Sequence, residues 1–397
     1  MRKMHRDILS VVVILVLLAV GLISLHADTS SCGGASITVP FTDVGTSFAF
    51  CFITEAYFSG LTAGTSATTF SPSNTVTREQ MAVFITRAQG AALQRGSRRA
   101  ALNQFWTPTP HLDLGLATTT VGNAPRLVAS DGGDLWVANF SSGSVSRVRA
   151  SDGKLLETWT GATNAWGVLI AMGRVFVTGQ TNPGNLYMID PSQTAGAVTT
   201  VSSNLGNNPQ GIAFDGNRIW SANNGGSISI VTPGASPPWA VTTVSTGFVS
   251  PEGILHDGTN IWVSDVSAGT VLKLDSSGNI LQTVFTGSSA ESLIFDGTNI
   301  WVPNIGSNTI SVIRPSLGAV IATLSGNGLN APASAAFDGQ RILVTNSSGQ
   351  SVSLWKATDL TPLGTFSTGA SSFPRGACSD GLNFWITLQG KGQLARF

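Results

Sequence analysis

The sequence predicts a mainly β protein whose residues 111–397 form a seven-bladed β-propeller with end-to-end strand closure. Three observations predict this fold. The chain has 45 glycines in 397 residues and only 11% charged residues. One sequence unit recurs seven times, and its last copy ends one strand short. Many glycines with few charges are typical of short strands joined by tight turns.

The recurring unit is an Asp-Gly pair followed by a strand with a large apolar residue at its centre. An interval of about 40 to 45 residues between copies is typical of four-stranded propeller blades. Asp-Gly is a strong hairpin signal, so we expect these aspartates to form turns rather than to bind metal. Six units carry the aspartate, and the second has Met172-Gly173 instead. The central residues are Trp136, Phe176, Trp220, Trp262, Trp301, Leu343 and Trp385.

The missing strand of the last unit is expected at the other end of the region. The chain ends at Phe397 after three strand signals of that unit. Residues 111–121 have the alternating pattern of a strand and precede the first complete unit. Pairing the two ends closes the ring and removes an exposed sheet edge.

Residues 1–27 have the features of an export signal. Arg2, Lys3 and Arg6 precede an unbroken apolar run over residues 8–25. This run is close to the ~20 residues that span a bilayer, so a cleaved signal peptide and a membrane anchor both stay open. Either one predicts an exported protein, at the cell surface, in the envelope or secreted.

The charge balance and the cysteines limit the partners and the compartment. Lys plus Arg and Asp plus Glu number 21 each, so no overall field attracts nucleic acid. An exported chain with three cysteines can hold one bridge. Cys32 and Cys51 are a possible pair, and Cys378 is expected to be a small buried residue of a strand.

Residues 38–90 have helical spacing. The segment 48–58 predicts one apolar helix. The segment 77–80 is a capping-box pattern that starts a second, amphipathic helix. The apolar positions of the second helix are Met81, Phe84, Ile85 and Ala88. Residues 91–110, which include three arginines, are interpreted as a linker.

Three segments of this module resemble an S-layer homology (SLH) repeat. They are Phe41-Thr42-Asp43-Val44, Gly60-Leu61-Thr62-Ala63-Gly64 and Thr77-Arg78-Glu79-Gln80. In that family the motif arginine helps to bind cell-wall polysaccharide, so the resemblance implies wall binding by Arg78, with Asp43 behind it. A solvated first-turn residue is the alternative for Arg78. Family members usually carry three repeats, and this chain shows one.

The propeller repeats resemble the NHL and YVTN class of bacterial propellers. Segments that carry the resemblance are Pro251-Glu252-Gly253-Ile254 and Asp296-Gly297-Thr298-Asn299-Ile300-Trp301-Val302. The resemblance implies a fold and leaves the function open, because this class includes surface-binding proteins and enzymes.

Candidate ligand-binding residues lie five positions before each turn aspartate, where the first strand of a blade enters at the channel mouth. Ring closure makes Arg126 and Arg375 neighbours and places Glu252 and Glu291 together across the channel. Separated positive and negative sides favour a zwitterionic or dipolar ligand. Charges that only keep the channel hydrated are the alternative. In blade order the seven positions are Arg126, Trp166, Gln210, Glu252, Glu291, Ala333 and Arg375.

A second set of polar residues ends the second strand of five units. Asparagine or aspartate at such a position can bond the nearby backbone, so we expect these residues to hold the turn that follows. The set is Asn139, Asn223, Asp265, Asn304 and Asn346.

Two functions stay open. The first is an envelope protein held by the SLH-like module that presents the propeller to an unidentified glycan, peptide or protein. The second is a metal-dependent lyase or lactone hydrolase resembling virginiamycin B lyase or the gluconolactonases. Its metal ligands would be Glu252, His256 and Glu291, although His256 takes a packing position filled by phenylalanine in sister units. The sequence shows no catalytic triad, phosphate loop or cysteine metal motif, so we expect binding and no cofactor.

Overall fold

The computed structural model describes residues 27–32, 35–58, 61–93 and 117–397. They belong to two compact units, an N-terminal module and a propeller. Nearly all of the expected export signal, most of the expected linker and residues 111–116 of the expected closing segment lie outside the described residues.

The N-terminal module combines a hairpin with two helices. Their bounds are β1 (Asp28–Cys32), β2 (Ala35–Val39), α1 (Phe50–Phe58) and α2 (Arg78–Leu93). The strands β1 and β2 pair antiparallel. A small apolar core joins β2 and α1 and includes Phe41, Val44 and Ile53.

The capping box at the start of α2 is confirmed. The N–H of Gln80 donates to Thr77 Oγ1 at 3.2 Å, and the N–H of Thr77 donates to Gln80 Oε1 at 2.9 Å. The apolar positions of the amphipathic helix α2 lie largely outside the module's core. Met81 is 48% exposed and Ile85 61% exposed, because the module's core forms around α1 and the loops.

The cysteines behave as two kinds. Cys51 is disulfide-bonded, and the side chain of its expected partner, Cys32, lies outside the described residues. Cys378 is a free thiol in a propeller strand, and burial raises its pKa well above the usual range.

The propeller consists of seven four-stranded antiparallel sheets. The first strand, β3 (Ala117–Thr120), belongs to the last blade. Blades 1 to 3 are β4 (Pro125–Ser130), β5 (Asp134–Asn139), β6 (Ser144–Arg149), β7 (Leu155–Thr160); β8 (Ala165–Ala171), β9 (Arg174–Gly179), β10 (Gly184–Ile189), β11 (Thr199–Leu205); β12 (Pro209–Phe214), β13 (Ile219–Asn223), β14 (Ser227–Thr232), β15 (Ala240–Val244). Blades 4 and 5 are β16 (Pro251–His256), β17 (Ile261–Asp265), β18 (Thr270–Leu274), β19 (Ile280–Phe285); β20 (Ile294–Phe295), β21 (Ile300–Asn304), β22 (Thr309–Arg314), β23 (Ala319–Leu324). Blades 6 and 7 are β24 (Pro332–Phe337), β25 (Arg341–Asn346), β26 (Ser351–Lys356), β27 (Pro362–Ser367); β28 (Pro374–Ser379), β29 (Phe384–Leu388), β30 (Gln393–Arg396).

The ends of the propeller pair as the sequence predicted. The strand β3 runs antiparallel to β30, from the pair Ala117 and Arg396 to the pair Thr120 and Gln393. Blade 7 therefore takes three strands from the C-terminus and its outer strand from the start of the region. The first strands of neighbouring blades contact one another around the central channel.

In five blades the turn aspartate holds both its turn and a buried tryptophan. In blade 5, Asp296 Oδ1 accepts the N–H groups of Thr298 and Asn299 at 2.8 and 2.6 Å. Its Oδ2 accepts the indole N–H of Trp301 at 2.7 Å. The same indole contact occurs in four further blades, in the pairs Asp131 and Trp136, Asp215 and Trp220, Asp257 and Trp262, and Asp380 and Trp385. The role of these aspartates as turn formers is confirmed, and the indole contact explains why a carboxylate is needed.

The turn geometry differs from the two-residue hairpin that Asp-Gly predicts. Only the glycine takes a positive φ in these turns, for example 92° at Gly297, because the aspartate acts through its side chain. Blade 2 lacks the aspartate and has the two-residue form instead. There Met172 and Gly173 both have positive φ, 53° and 69°.

Blade 6 replaces the tryptophan contact with an ion pair. Leu343 occupies the tryptophan position, and Asp338 Oδ2 accepts from Arg341 Nε at 2.8 Å. Both side chains are 1% exposed, and the guanidinium lies 5.1 Å from the ring centre of Phe384. In this blade the guanidinium of Arg341 replaces the indole N–H as the donor to the buried aspartate. A buried carboxylate needs such a partner.

The set of residues that end the second strands has a structural role. Asn139 Nδ2 donates to the hydroxyls of Ser144 and Ser146 across the turn, at 3.2 and 2.9 Å. Asn223, Asn304 and Asn346 make equivalent bonds. The asparagines therefore hold the turn through serine and threonine hydroxyls. Asp265 holds its turn through the backbone, as expected, by accepting the N–H of Ala268 at 3.3 Å.

Deletion of residues 117–120 tests the closure. We expect the deletion to expose the edge of β30 and to cause aggregation, because an unpaired edge is a template for pairing with another chain. Light scattering and size-exclusion chromatography measure this. A deletion of residues 105–110, which leaves β3 intact, is the control. A monomeric protein without residues 117–120 would contradict the closure.

The substitution Asp296→Asn tests the shared role of the aspartate. Both oxygens of Asp296 accept N–H groups, and an amide replaces one oxygen by an NH₂ group that would face the indole N–H of Trp301 or the turn N–H groups. One donor then loses its acceptor, so we expect the free energy of unfolding to fall by about 1–3 kcal/mol. Urea denaturation measures it. In a Trp301→Phe background the conflict with the indole disappears, and the cost of Asp296→Asn should fall. Equal costs in both backgrounds would show that the indole contact contributes nothing.

Candidate functional site

The candidate mouth residues sit on a repeated irregularity of the first strands. In blade 1, Pro125 pairs with Asn139 and Val128 pairs with Val137, so the residues between them form a bulge. The same register shift follows the first residue of β8, β12, β16, β24 and β28. A bulge frees a residue from the ladder and redirects its side chain. Arg126 and its counterparts occupy this position.

The residue after the mouth position is glycine in four blades because the next blade lies very close. A Cβ atom at Gly211 would overlap the carbonyl oxygen of Glu252. Gly167, Gly253 and Gly376 face the carbonyl oxygens of Gln210, Glu291 and Arg126 in the same way. The backbones of these four mouth residues are therefore held against the preceding blade.

A hydroxyl on the second strand connects neighbouring blades at this level. Thr387 Oγ1 accepts the N–H of Gly376 at 2.7 Å and donates to the carbonyl of Arg126 at 2.6 Å. Thr178 and Thr345 make the same two bonds in blades 2 and 6. These hydroxyls fix the height and the register of the mouth residues.

Arg375 spans the channel and binds both glutamates. Its Nη2 lies 3.1 Å from Glu252 Oε1 and 3.0 Å from Glu291 Oε2. The glutamates are only 8% and 5% exposed. The two glutamates do lie together, as the sequence predicted, but the expected separation of positive and negative sides is wrong. Because these partners are largely buried, removing one of them is expected to cost about 3–5 kcal/mol.

Burial raises the pKa of Glu291 to about 9. The cation of Arg375 opposes this shift, while the charge of Glu252 and a hydrogen bond between the two carboxyl groups add to it. Two carboxyl groups in one buried site cannot both ionise easily. Burial therefore keeps a proton on Glu291 at neutral pH, and both carboxyl groups remain bonded to Arg375.

Gln210 extends this polar cluster. With its amide nitrogen towards Glu252, it donates to both carboxylate oxygens at 3.2 and 3.3 Å and accepts from Gln180 Nε2 at 2.8 Å. The neutral amide of Gln210 thus contacts Glu252, and the amide of Gln180 holds Gln210.

Arg126 lies apart from the carboxylates and contacts aromatic rings. Its guanidinium carbon is 4.2 Å from the ring centre of Trp166 and 5.0 Å from that of Phe140. The two rings meet edge to face at 5.7 Å. Nη1 donates to Gln389 Oε1 at 3.1 Å. A guanidinium over aromatic faces is a favourable cation–π arrangement.

The structure brings six of the seven predicted mouth residues into polar or cation–π contact. The seventh, Ala333, is buried and contributes only a small side chain. Sequence reasoning missed Phe140, Gln180 and Gln389. Each follows the last residue of a second strand, so comparing this one position across the seven repeats finds them.

The metal-binding group considered from sequence does not assemble. Glu252 and Glu291 are bonded to Arg375, whereas His256 ends β16 at the turn side, roughly 13 Å farther along the strand. His256 pairs with Ile261 and is half-buried. Within the described ranges, no group of three or more His, Cys, Asp or Glu is placed to hold a metal ion.

The two wall-binding candidates differ in their availability. Asp43 accepts the N–H groups of Phe70 and Ser71 at 2.9 and 2.7 Å, so its carboxylate holds a loop. It also borders a cavity of about 600 Å³ lined by aromatic and hydroxyl side chains, including Phe48 and Phe52. Arg78 is an exposed first residue of α2.

The fold and these sites define an SLH domain followed by a seven-bladed β-propeller. Residues 40–82 match the family model of the S-layer homology domain. An endoglucanase of Bacillus sp. (strain KSM-635) is 37% identical over 89 residues, which cover 22% of this chain and 9% of that enzyme. The chain thus spans less than a tenth of the length of this curated relative.

Solved propellers resemble the C-terminal region. Virginiamycin B lyase from Staphylococcus aureus matches with a TM-score of 0.59 and 17% identity, over 71% of this chain and 98% of that chain. Kuenenia stuttgartiensis hydrazine synthase matches at 0.58 and 17%, over 70% and 97%. The Cps50 β-propeller domain of Myceliophteria thermophila matches at 0.59 and 12%, over 71% and 99%. At these identities the likeness shows the fold alone.

The raised pKa of Glu291 predicts that stability falls with rising pH. Between the ordinary value near 4.5 and about 9, the folded protein holds a proton that the unfolded chain releases. Each pH unit in this window then costs at most about 1.4 kcal/mol from this group. Glu291→Gln keeps a neutral amide there, so we expect a flatter dependence of the free energy of unfolding on pH.

Urea denaturation at several pH values between 5 and 9 measures this difference. Glu157→Gln, at a carboxylate that is 29% exposed beside Arg147, is the matched control and should follow the unsubstituted protein. Parallel profiles for the unsubstituted protein and Glu291→Gln would mean that Glu291 is ionised throughout.

Proposed function

We propose that this chain is an exported envelope protein that attaches to cell-wall polysaccharide through its SLH domain and uses the channel mouth of its propeller to bind a small polar ligand. The observation that carries the first part is the SLH match at residues 40–82, since SLH domains generally bind such polymers. The basic and apolar pattern of residues 1–27 supports export.

The mouth cluster supports the binding part of the proposal. Six side chains from different blades converge there, and ligand sites are typically concave with a few convergent polar groups. A ring of rigid strands holds these groups in place, which suits a binding site.

Binding is favoured over the metal-dependent lyase or lactone hydrolase. The carboxyl groups that such an enzyme would use are occupied by Arg375. His256, the one histidine in the described residues, is at the other end of its strand. These residues do not form the mixed carboxylate and imidazole set that such a metal centre uses.

Neither described helix has the length and hydropathy that crossing a membrane requires.

Arg78→Ala tests the attachment. If the exposed guanidinium pairs with anionic groups of the wall polymer, its loss should reduce the fraction that sediments with purified wall polysaccharide several-fold. Arg149→Ala, at an exposed arginine of the propeller, removes the same charge elsewhere and should leave sedimentation unchanged. Equal sedimentation of the Arg78 variant and the unsubstituted protein would contradict the role of Arg78.

A further inference from the structure

The four charged groups of the channel mouth are unequally satisfied. Arg375 is bonded to both glutamates. Arg126 forms no ion pair within the described part of the chain, and its one side-chain hydrogen bond goes to the neutral oxygen of Gln389. The positive charge of Arg126 therefore has no direct counterion.

The surroundings of Arg126 compensate its charge only in part. Its Nε is buried and meets no acceptor among the described residues. Burial and the cation of Arg375 together lower the pKa of Arg126 to about 10, against the opposing effect of the Glu252 and Glu291 charges. A partly buried charge without an ion-pair partner has lost hydration that nothing replaces, so an anion that pairs with Arg126 would gain free energy on binding.

The carboxyl groups cannot serve a positively charged ligand. Both glutamates are bonded to Arg375, and burial keeps a proton on Glu291. An ammonium group entering the mouth would have to displace Arg375 from both oxygens. The zwitterionic ligand expected from the sequence therefore lacks a partner for its positive end.

We infer that the channel mouth binds a small organic carboxylate and that Arg126 is the residue that pairs with it. This inference rests on the proposed use of the mouth as a ligand site. A guanidinium presents parallel N–H groups that match a carboxylate. Trp166 is buried beneath the guanidinium and holds it in place, and the half-buried ring of Phe140 beside it provides an apolar surface for the body of the ligand. A flat apolar acid such as benzoate has both features.

Ligand-observed NMR and calorimetry of the full chain at pH 7 provide the test, with benzoate as the probe. Benzamide, a neutral molecule of the same shape, and glycine, a zwitterion, are the comparison probes. We expect benzoate to bind and both comparison probes to bind at least about tenfold more weakly, because charge-assisted hydrogen bonds are the strong ones.

Arg126→Gln should weaken benzoate binding by at least about tenfold. Arg396→Gln is the matched control, because Arg396 also lies over a tryptophan, Trp385, at 6.0 Å, but in the outer part of blade 7. This control should bind benzoate as the unsubstituted protein does. Circular dichroism and thermal midpoints check that each variant is folded.

Gln389→Glu keeps the test decisive if Arg126→Gln fails to fold. The new carboxylate would stand where the amide oxygen lies 3.1 Å from Arg126 Nη1 and would occupy the guanidinium itself. We expect this variant to fold and to lose benzoate binding. Undiminished binding in either folded variant would overturn the assignment of Arg126.

The remaining outcomes separate this inference from the proposed function. If glycine binds and benzoate does not, and Glu252→Gln abolishes glycine binding, the mouth is a ligand site and the inference of an anion is wrong. If none of the three probes binds, the inference is overturned. Sedimentation with wall polysaccharide tests the attachment separately in the same protein.

Discussion

The close approach of the first strands is the constraint on which the propeller's central site depends. Glycine after the mouth residue lets each blade reach the backbone carbonyl of its neighbour, and hydroxyls such as Thr387 bond both backbones at once. Neighbouring bulges are thereby held at one height around the ring. Side chains from blades as distant as 4 and 7 can then meet, as Arg375 and Glu252 do.

The charges at the mouth follow from this narrow spacing. Because the channel is narrow enough for one arginine to span, a pair of glutamates meets Arg375 rather than solvent. Burial then keeps a proton on Glu291 and leaves the mouth with an unpaired cation at Arg126. Aromatic faces of Trp166 and Phe140 stabilise this cation in place of a carboxylate.

The fold could be predicted from the sequence because it depends on local signals. Turn aspartates, strand periodicity and the missing last strand were sufficient for seven blades and their closure. The mouth positions could also be found, since they keep a fixed distance from the turns. Their partners could not be predicted. The reach of Arg375 across the channel depends on the channel's width, and the proton on Glu291 depends on its burial. The exposure of the apolar residues of α2 could not be predicted for a similar reason, since a helical pattern does not show whether another element covers it.

The strand β3, which closes the ring, is also where a pulling force would enter the propeller. It has four residues, three of them exposed, and it is the point at which the chain from the N-terminal module enters the ring. If that module is fixed to the wall, any pull on the propeller is loaded first on this short strand. The pull starts at Ala117, which pairs with the penultimate residue, Arg396. Separation of β3 from β30 would leave the first three strands of blade 7 and the six other blades paired. Under such a pull the ring would therefore open at β3 while the rest of the propeller stays folded.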